Sequence, residues 1–519
     1  MRKRKGVAQV LIGLLLVAAL VLIPMACKAP EEAPPAAPPE EVAPPAAPPA
    51  EEAIVRPPGW VLTLDEIPEI ENKTPIHIGL MSGAVPETIL SFLDNFSEKT
   101  GVPVTHEFLE ATLMYSKINT ELVAGTGVYD IFNPEATATC EWSPYMRDFW
   151  ELAEMYEPGG RKALEVDLEG YHPLIIRTAS DPSGAFYGLP FYRYSQTFTY
   201  RQDILEDPIE KAAFKEKYGY DLAPATTWDQ VRDMGEFFTR KKGELLKGEP
   251  LEWDFYGMAL MAGRSDINDE FFTMVNGLGG EWTRSVYDEN GKLTGFKITK
   301  EDKAILKESV EIYQSLMPYV TPGCESHTWD LVAEEMAGGR IAIAPTQWAE
   351  LWTWCFGVED TIPGAKLGSA PCVGGRPYYG CFYNAVSAES KNPEAAYWFS
   401  RYMGSYECQM EAAEAGWNSI RLDVLLDSQW DAPEWQTGNL MNRDPVEQVL
   451  AAWEKQSPYV EDVFNYCSFA AGKVYEQEII ILHDAAIGEL TAQECVDSMT
   501  ASRIELQTRF GKLPITEEK

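Results

Sequence analysis

Much of the usual vocabulary of catalysis is missing from this 519-residue chain. It has no GxSxG nucleophile elbow, no HExxH zinc motif, no phosphate-binding P-loop and no dinucleotide fingerprint. Gly277–Gly280 (GLGG) reads as a helix stop, not as a phosphate cradle. Histidine is scarce, and His77, His106, His172, His327 and His483 show no metal-ligand spacing. Positive charge is scarce as well: 43 Lys and Arg face 80 Asp and Glu, for a formal net charge of −37. The first 56 residues are balanced, so the whole excess lies in the remainder. That balance argues against a nucleic-acid or anionic-membrane surface and is compatible with neutral or cationic ligands. No short internal repeat is visible.

What is present is length, aromatic side chains and alternation. The chain is too long for one ordinary core, so two large lobes are expected. Hydrophobic residues make up 45%, as in an ordinary globular protein, but 15 Trp and 24 Tyr are a heavy aromatic load, and many fall beside Gly or Pro.

The N-terminus reads as an address. Arg2–Lys5 is basic, Val7–Ile23 is apolar apart from Gln9, and Met25-Ala26-Cys27 follows. This pattern predicts an export signal (residues 1–27) cut after Ala26, with Cys27 acylated as in a lipoprotein, although Pro24 stands where Leu is usual. The rival reading is an uncleaved anchor, and both put the remainder outside the cytoplasm. Residues 28–58 are built from Pro, Ala and Glu, too poor in apolar bulk to form a core, and predict an extended spacer.

Tyr187–Asp203 (YGLPFYRYSQTFTYRQD) is dense in aromatic and β-branched residues and predicts one long strand. Before it, strands at Pro75–Leu80, Pro103–Phe108 and Val128–Phe132 alternate with helices at about 86–99 and 113–123. Such alternation predicts an α/β architecture with a mainly parallel sheet, and ligand loops beyond the strand ends at 81–84 and 133–142. After it, helices are expected from Thr227 to about Lys241, over Phe271–Leu278, Lys303–Met317 and Thr328–Met336, with strands at Phe255–Met261 and Arg340–Ala344. The long strand is therefore read as leaving one α/β lobe and entering another, its aromatics facing a cleft.

The order of blocks resembles the bacterial extracellular solute-binding protein family 1, the maltose-binding-protein-like receptors of ABC importers. The resemblance runs from Pro75 to Asp423 and rests on YGLP with TYRQD, ATTWDQVRDMGEFFT, MVNGLGGEW, MAGGRIAIAPTQW and the stretch Ser390–Ile420. It implies a two-lobed periplasmic-binding-protein type II (Venus-flytrap) fold with discontinuous lobes and a crossing-strand hinge. Lobe one would be 59–190 plus 372–421 and lobe two 191–371 plus 422–512, the latter covered by C-terminal helices over Glu476–Phe510. It also implies hinge closure around a solute and delivery to a membrane permease, with no catalytic residue, metal or cofactor of its own.

A sugar offers flat C–H faces for aromatic rings and hydroxyls for carboxylates, amides and Arg. The candidate ligand residues are Glu135, Trp142, Tyr383, Trp417 and Arg421 from lobe one and Tyr192 and Tyr194, on one face of the crossing strand. Lobe two would supply Arg264, Asp266, Trp348 and Trp352. Trp348 sits at the family's stacking position, Arg421 could equally brace the hinge, and Trp142 and Trp417 could equally pack under loops. Tyr194 stands where some members carry an acidic sugar ligand, which leaves the sugar open.

Three other readings stand beside the carbohydrate receptor, which is expected to be a monomer. Tyr378-Tyr379 is a tyrosine pair of the kind that iron receptors use, but no His or carboxylate cluster lies near it in sequence. The carboxylate excess suits a polyamine or other cationic solute. An exported glycoside hydrolase would need two carboxylates across a cleft, which composition alone does not exclude. Eight Cys remain besides Cys27; Cys372/Cys381 or Cys324/Cys355 are the nearer pairs for disulfides, free buried thiols are the alternative, and spacing does not settle the connectivity.

Overall fold

β-Branched and aromatic residues fill eight strands of one sheet: β1 (Ile76–Met81), β2 (Val104–Leu109), β3 (Ile131–Phe132), β4 (Gly188–Arg201), β5 (Tyr256–Met258), β6 (Ile341–Trp348), β7 (Leu367–Ala370) and β8 (Tyr379–Val386). They belong to a computed structural model that describes residues 63–81, 87–109, 111–456 and 471–519, all within one compact unit. The export signal, Cys27, the spacer 28–58 and most of the 81–84 loop lie outside the described residues.

The strand order is β2-β1-β3-β8-β4-β6-β5, with β7 on β4. β1 pairs in parallel with β2 and β3, through the crossover helices Glu87–Thr100 and Ala111–Ala124. β8 runs antiparallel to β3 and β4, and β6 is antiparallel to β4 but parallel to β5. The sheet is thus mixed, where the sequence suggested a mainly parallel one. The antiparallel joins all involve β4 or β8.

β4 holds the two halves together. Its first eight residues pair with β8, from Gly188↔Ala385 to Ser195↔Tyr379, and its last six pair with β6 and β7 on its two edges. At 14 residues it is about 46 Å long by the ordinary strand rise. Gly188 is required at its start, because a Cβ there would overlap the Asn384 carbonyl.

Helices clothe each half. Pro393–Met403 packs on β8 and β4, while Trp228–Phe238 packs on β5 and β6, and Trp329–Ala337 on β6. Thr227 caps its helix as expected, accepting the Gln230 amide at 3.3 Å. The C-terminal helices Ala471–Ala486 and Ala492–Phe510 pack on each other and on Lys300–Leu316, and the former also packs on Ile267–Gly277.

Two boundaries differ from the sequence reading. The helix expected from Phe271 begins at Ile267, because Asn268, Asp269 and Glu270, which look like loop residues, are buried helical positions. The strand expected to stop at Ala344 continues to Trp348, and a register shift between Ala344 and Gln347 accommodates Pro345. The suggested disulfides are corrected as well: Cys324, Cys355, Cys372 and Cys381 are free buried thiols, as are Cys408 and Cys495. Nearness in sequence does not set the geometry a disulfide needs; Cys381 faces Thr178 and Cys372 faces the Pro345 carbonyl. Cys140 is disulfide-bonded.

Candidate functional site

The middle of β4 is where the two halves meet, and its even-numbered side chains share one face. Tyr194 lies in stacked contact with Tyr378, ring centroids 5.7 Å apart, and edge-on to Trp348, also at 5.7 Å. Trp348 meets Tyr378 edge-on at 5.7 Å, and Phe272 meets it at 5.0 Å. Opposite Tyr194 on β8 stands Gly380, where a Cβ would fall on the Tyr194 phenol. These rings come from β4, the end of β6, the residue before β8, and the helix Ile267–Gly277.

Polar groups converge on the same rings. Tyr378 donates its hydroxyl to Glu135 Oε1 at 2.9 Å and its backbone N–H to Thr273 Oγ1 at 2.8 Å. Thr273 donates in turn to Gln196 Oε1, while Gln196 Nε2, nearly fully buried, has no hydrogen-bond partner. Asp269 lies one helical turn before Thr273, on the same face, and Asp266 occupies the N-cap position of that helix without a side-chain capping bond. Asp269 Oδ1 accepts from the Tyr475 hydroxyl at 3.0 Å, and Asp266 Oδ2 accepts from Ser265 Oγ at 2.6 Å.

The carboxylates here are disfavoured in their charged form. Burial raises the Glu135 pKa, against the hydroxyls of Tyr378, Tyr194 and Thr137 that lower it. Burial also pushes Asp266 up to about 6. Asp269 is raised well above the carboxylate range, by burial first and then by the charges of Asp266 and Glu135. Behind them Glu270, hydrogen-bonded to Thr346 and Tyr313, is pushed up to about 7 by burial.

Of the residues expected from sequence, Glu135, Tyr194, Asp266 and Trp348 are brought into this cluster. Tyr192 adjoins it through Phe382, which contacts both Tyr192 and Tyr194, and Trp417 stands edge-on to Tyr192 at 5.6 Å. The others lie elsewhere. Trp142 stacks on Tyr115 at 5.2 Å and donates to Asn119, so it packs beneath its loop. Tyr383 is wholly buried and donates to Thr139. Trp352 donates to the Thr437 carbonyl and packs on Phe356. Arg421 is enclosed between Asp167 and Asp423, at 2.9 and 2.8 Å, and so is held in an ion-pair network away from the cluster. Arg264 is on the surface, paired with Asp484.

Sequence reasoning missed Gln196, Asp269, Phe272, Thr273 and Tyr475, and considered Tyr378 only as an iron ligand. One signal was available: Asp266, Asn268, Asp269, Glu270 and Thr273 interrupt an otherwise apolar run, which is unusual for a helix buried on all sides. Tyr475 had none, since it reaches the site only through the packing of the C-terminal helix.

A family model described as bacterial extracellular solute-binding protein matches residues 82–410. The chain belongs to that family, which is defined by binding and not by catalysis. Its fold is the type II periplasmic-binding-protein fold. A solute-binding protein of Agrobacterium radiobacter K84, solved with ribitol, superposes with a TM-score of 0.61 at 17% identity, over 85% of this chain and 99% of that one. One from Agrobacterium vitis S4, with D-mannitol, gives 0.61 at 18% identity over 85% and 100%. Maltose-bound MalE3 of T. maritima gives 0.57 at 19% over 83% and 99%. Among curated proteins, a probable amino-acid ABC transporter periplasmic-binding protein, y4oP of Sinorhizobium fredii, is 22% identical over 371 residues, 70% of this chain and 76% of its own length. Among the described residues, no helix is long and apolar enough to cross a membrane.

Proposed function

We propose that this protein is the substrate-binding receptor of an ABC importer and takes a carbohydrate or polyol at the middle of β4. The observation that carries the reading is the convergence of Tyr194, Trp348 and Tyr378 with carboxylates from both halves of the sheet, Glu135 on one side and Asp269 on the other. Rings of this kind stack on the C–H faces of a sugar, and the carboxylates, with the free Gln196 amide, accept from and donate to its hydroxyls. The ligands of the structural neighbours, ribitol, D-mannitol and maltose, support the same class.

The two halves act as lobes, 59–190 with 372–421 and 191–371 with 422–512, that close about β4 when a ligand bridges them. Closure gains free energy only from contacts that the open form lacks, so a residue from each side must touch the ligand. The closed monomer is then read by permease subunits at the membrane, to which acylated Cys27 and the 28–58 spacer tether it outside the cytoplasm.

The test is a thermal-shift screen of the full chain against sugars, polyols, amino acids and polyamines. A solute that binds only the native state raises Tm, the stabilisation growing as RT ln(1 + L/Kd) at free solute concentration L. A clear shift with a sugar or polyol, recovered chemically unchanged, is expected. A shift confined to amino acids would move the ligand class, and formation of a hydrolysis product would replace the receptor by an enzyme.

A further inference from the structure

The site carries an asymmetry that a neutral sugar does not require. Among the described residues, none of Glu135, Asp266 and Asp269 forms an ion pair with Lys, Arg or His. The hydrogen bonds that reach them, among the described residues, come from neutral donors: the hydroxyls of Tyr378, Tyr194, Thr137, Tyr475 and Ser265, or the Trp329 backbone. Glu135 accepts from Tyr378, Tyr378 donates its N–H to Thr273, and Asp269 stands one helical turn before Thr273 with Asp266 at the start of the same helix, so these acids border one cluster. Buried carboxylates without a counter-ion are costly, and a cation brought by a ligand would remove that cost. The adjoining faces of Tyr194, Tyr378 and Trp348 would favour the same charge.

Resting on the carbohydrate reading above, we propose that the ligand this site selects carries a primary ammonium, seated between the Glu135 and Asp269 carboxylates and ringed by Tyr194, Tyr378 and Trp348. Two sources share that chemistry, an amine-bearing sugar and a linear polyamine. The buried Gln196 amide decides between them. Its Oε1 is committed to Thr273, which also holds Tyr378, so its free Nε2 belongs to the same cluster and asks for an acceptor oxygen. A sugar hydroxyl or ring oxygen meets that demand, whereas a polyamine has no oxygen to offer. An amino acid fits less well again, because its carboxylate would enter a site that already holds three acids and no cation.

The experiment is calorimetric titration of the full chain with matched sets of saccharides in amino, N-acetylamino and hydroxyl forms (glucosamine, N-acetylglucosamine, glucose and their short oligomers), with spermidine as a separate arm. The amino form of at least one sugar is expected to bind at least about 10-fold more tightly than its N-acetyl and hydroxyl counterparts, an advantage that Glu135→Gln and Asp269→Asn each abolish. The acetylated ligand removes the charge without touching the protein, so the result does not hang on the variants folding. Equal binding of amino and hydroxyl forms would overturn the ammonium and leave the carbohydrate receptor standing. Spermidine binding with no sugar bound would keep the ammonium and overturn the carbohydrate. Silence from every amine would overturn the proposal.

Discussion

Asp167 and Asp269 are both buried aspartates, yet their surroundings are opposite in sign. Asp167 lies between the guanidinium groups of Arg401 and Arg421; burial alone would raise its pKa, but the two arginines outweigh burial and hold it below the usual range. Arg401 also donates to Glu157 at 2.6 Å, and Arg421 to Asp423, so acids and bases alternate through this network. Asp269 has acids for neighbours and the Tyr475 hydroxyl for a partner, and is raised. Burial alone therefore does not mark a ligand site. The proposed ammonium rests instead on the chain supplying Asp167 with opposite charge and Asp269, among the described residues, with none.

The largest effect should come from breaking the brace. Arg421→Ala leaves Asp167 enclosed beside a vacated guanidinium position and is expected to cost about 3–5 kcal/mol in denaturant unfolding, without a specific effect on ligand affinity in whatever fraction folds. A loss below about 1 kcal/mol would erase the contrast with the site. Next, Trp348→Ala is expected to weaken binding of the sugar found by the thermal screen about 10- to 100-fold in calorimetry of the folded fraction, because the ring meets both Tyr194 and Tyr378.

A third experiment sharpens the electrostatic side. Glu270 keeps its proton up to about pH 7 when folded and releases it near the ordinary 4.5 when unfolded. Between those values the folded state binds more protons, so stability falls as pH rises and levels off above 7, by at most about 3 kcal/mol from this group. In Glu270→Gln the fall in Tm between pH 5 and pH 8 should shrink; an unchanged slope would show that another group causes it. The smallest effect is reserved for Arg264→Ala, whose exposed pair with Asp484 should be worth less than about 0.5 kcal/mol and should leave affinity as it was.

How much of this could be read without coordinates differed by level. The long strand, the βαβ opening and the Thr227 cap follow from local chemistry, and all are present. The site was half legible. Glu135 and Trp348 stand at strand ends, where a loop-by-loop reading finds them, and Tyr194 follows from alternation along β4. Asp269 and Gln196 needed tertiary knowledge, because a polar residue in a helix or strand becomes conspicuous only once that element is known to be buried on every side. Trp142, Tyr383 and Arg421 illustrate the converse: an aromatic or Arg near a turn looks the same in sequence whether it faces a cleft or seals a core.

β4 has a consequence beyond pairing. From Tyr192 onward, past the extra residue at Phe191, one continuous strand is read by β8 up to Ser195 and by β6 and β7 over its last six residues, so these two ladders share a single parity. Tyr192, Tyr194 and Gln196 are in phase with one another and out of phase with Arg193, Ser195 and Thr197. Inserting or deleting one residue near Ser195 would leave each end free to keep its own ladder only by inverting the other, as a frameshift garbles everything downstream of it. The segment can therefore change its letters, but it is not free to change its length by one, and any relative that keeps this site should keep that count.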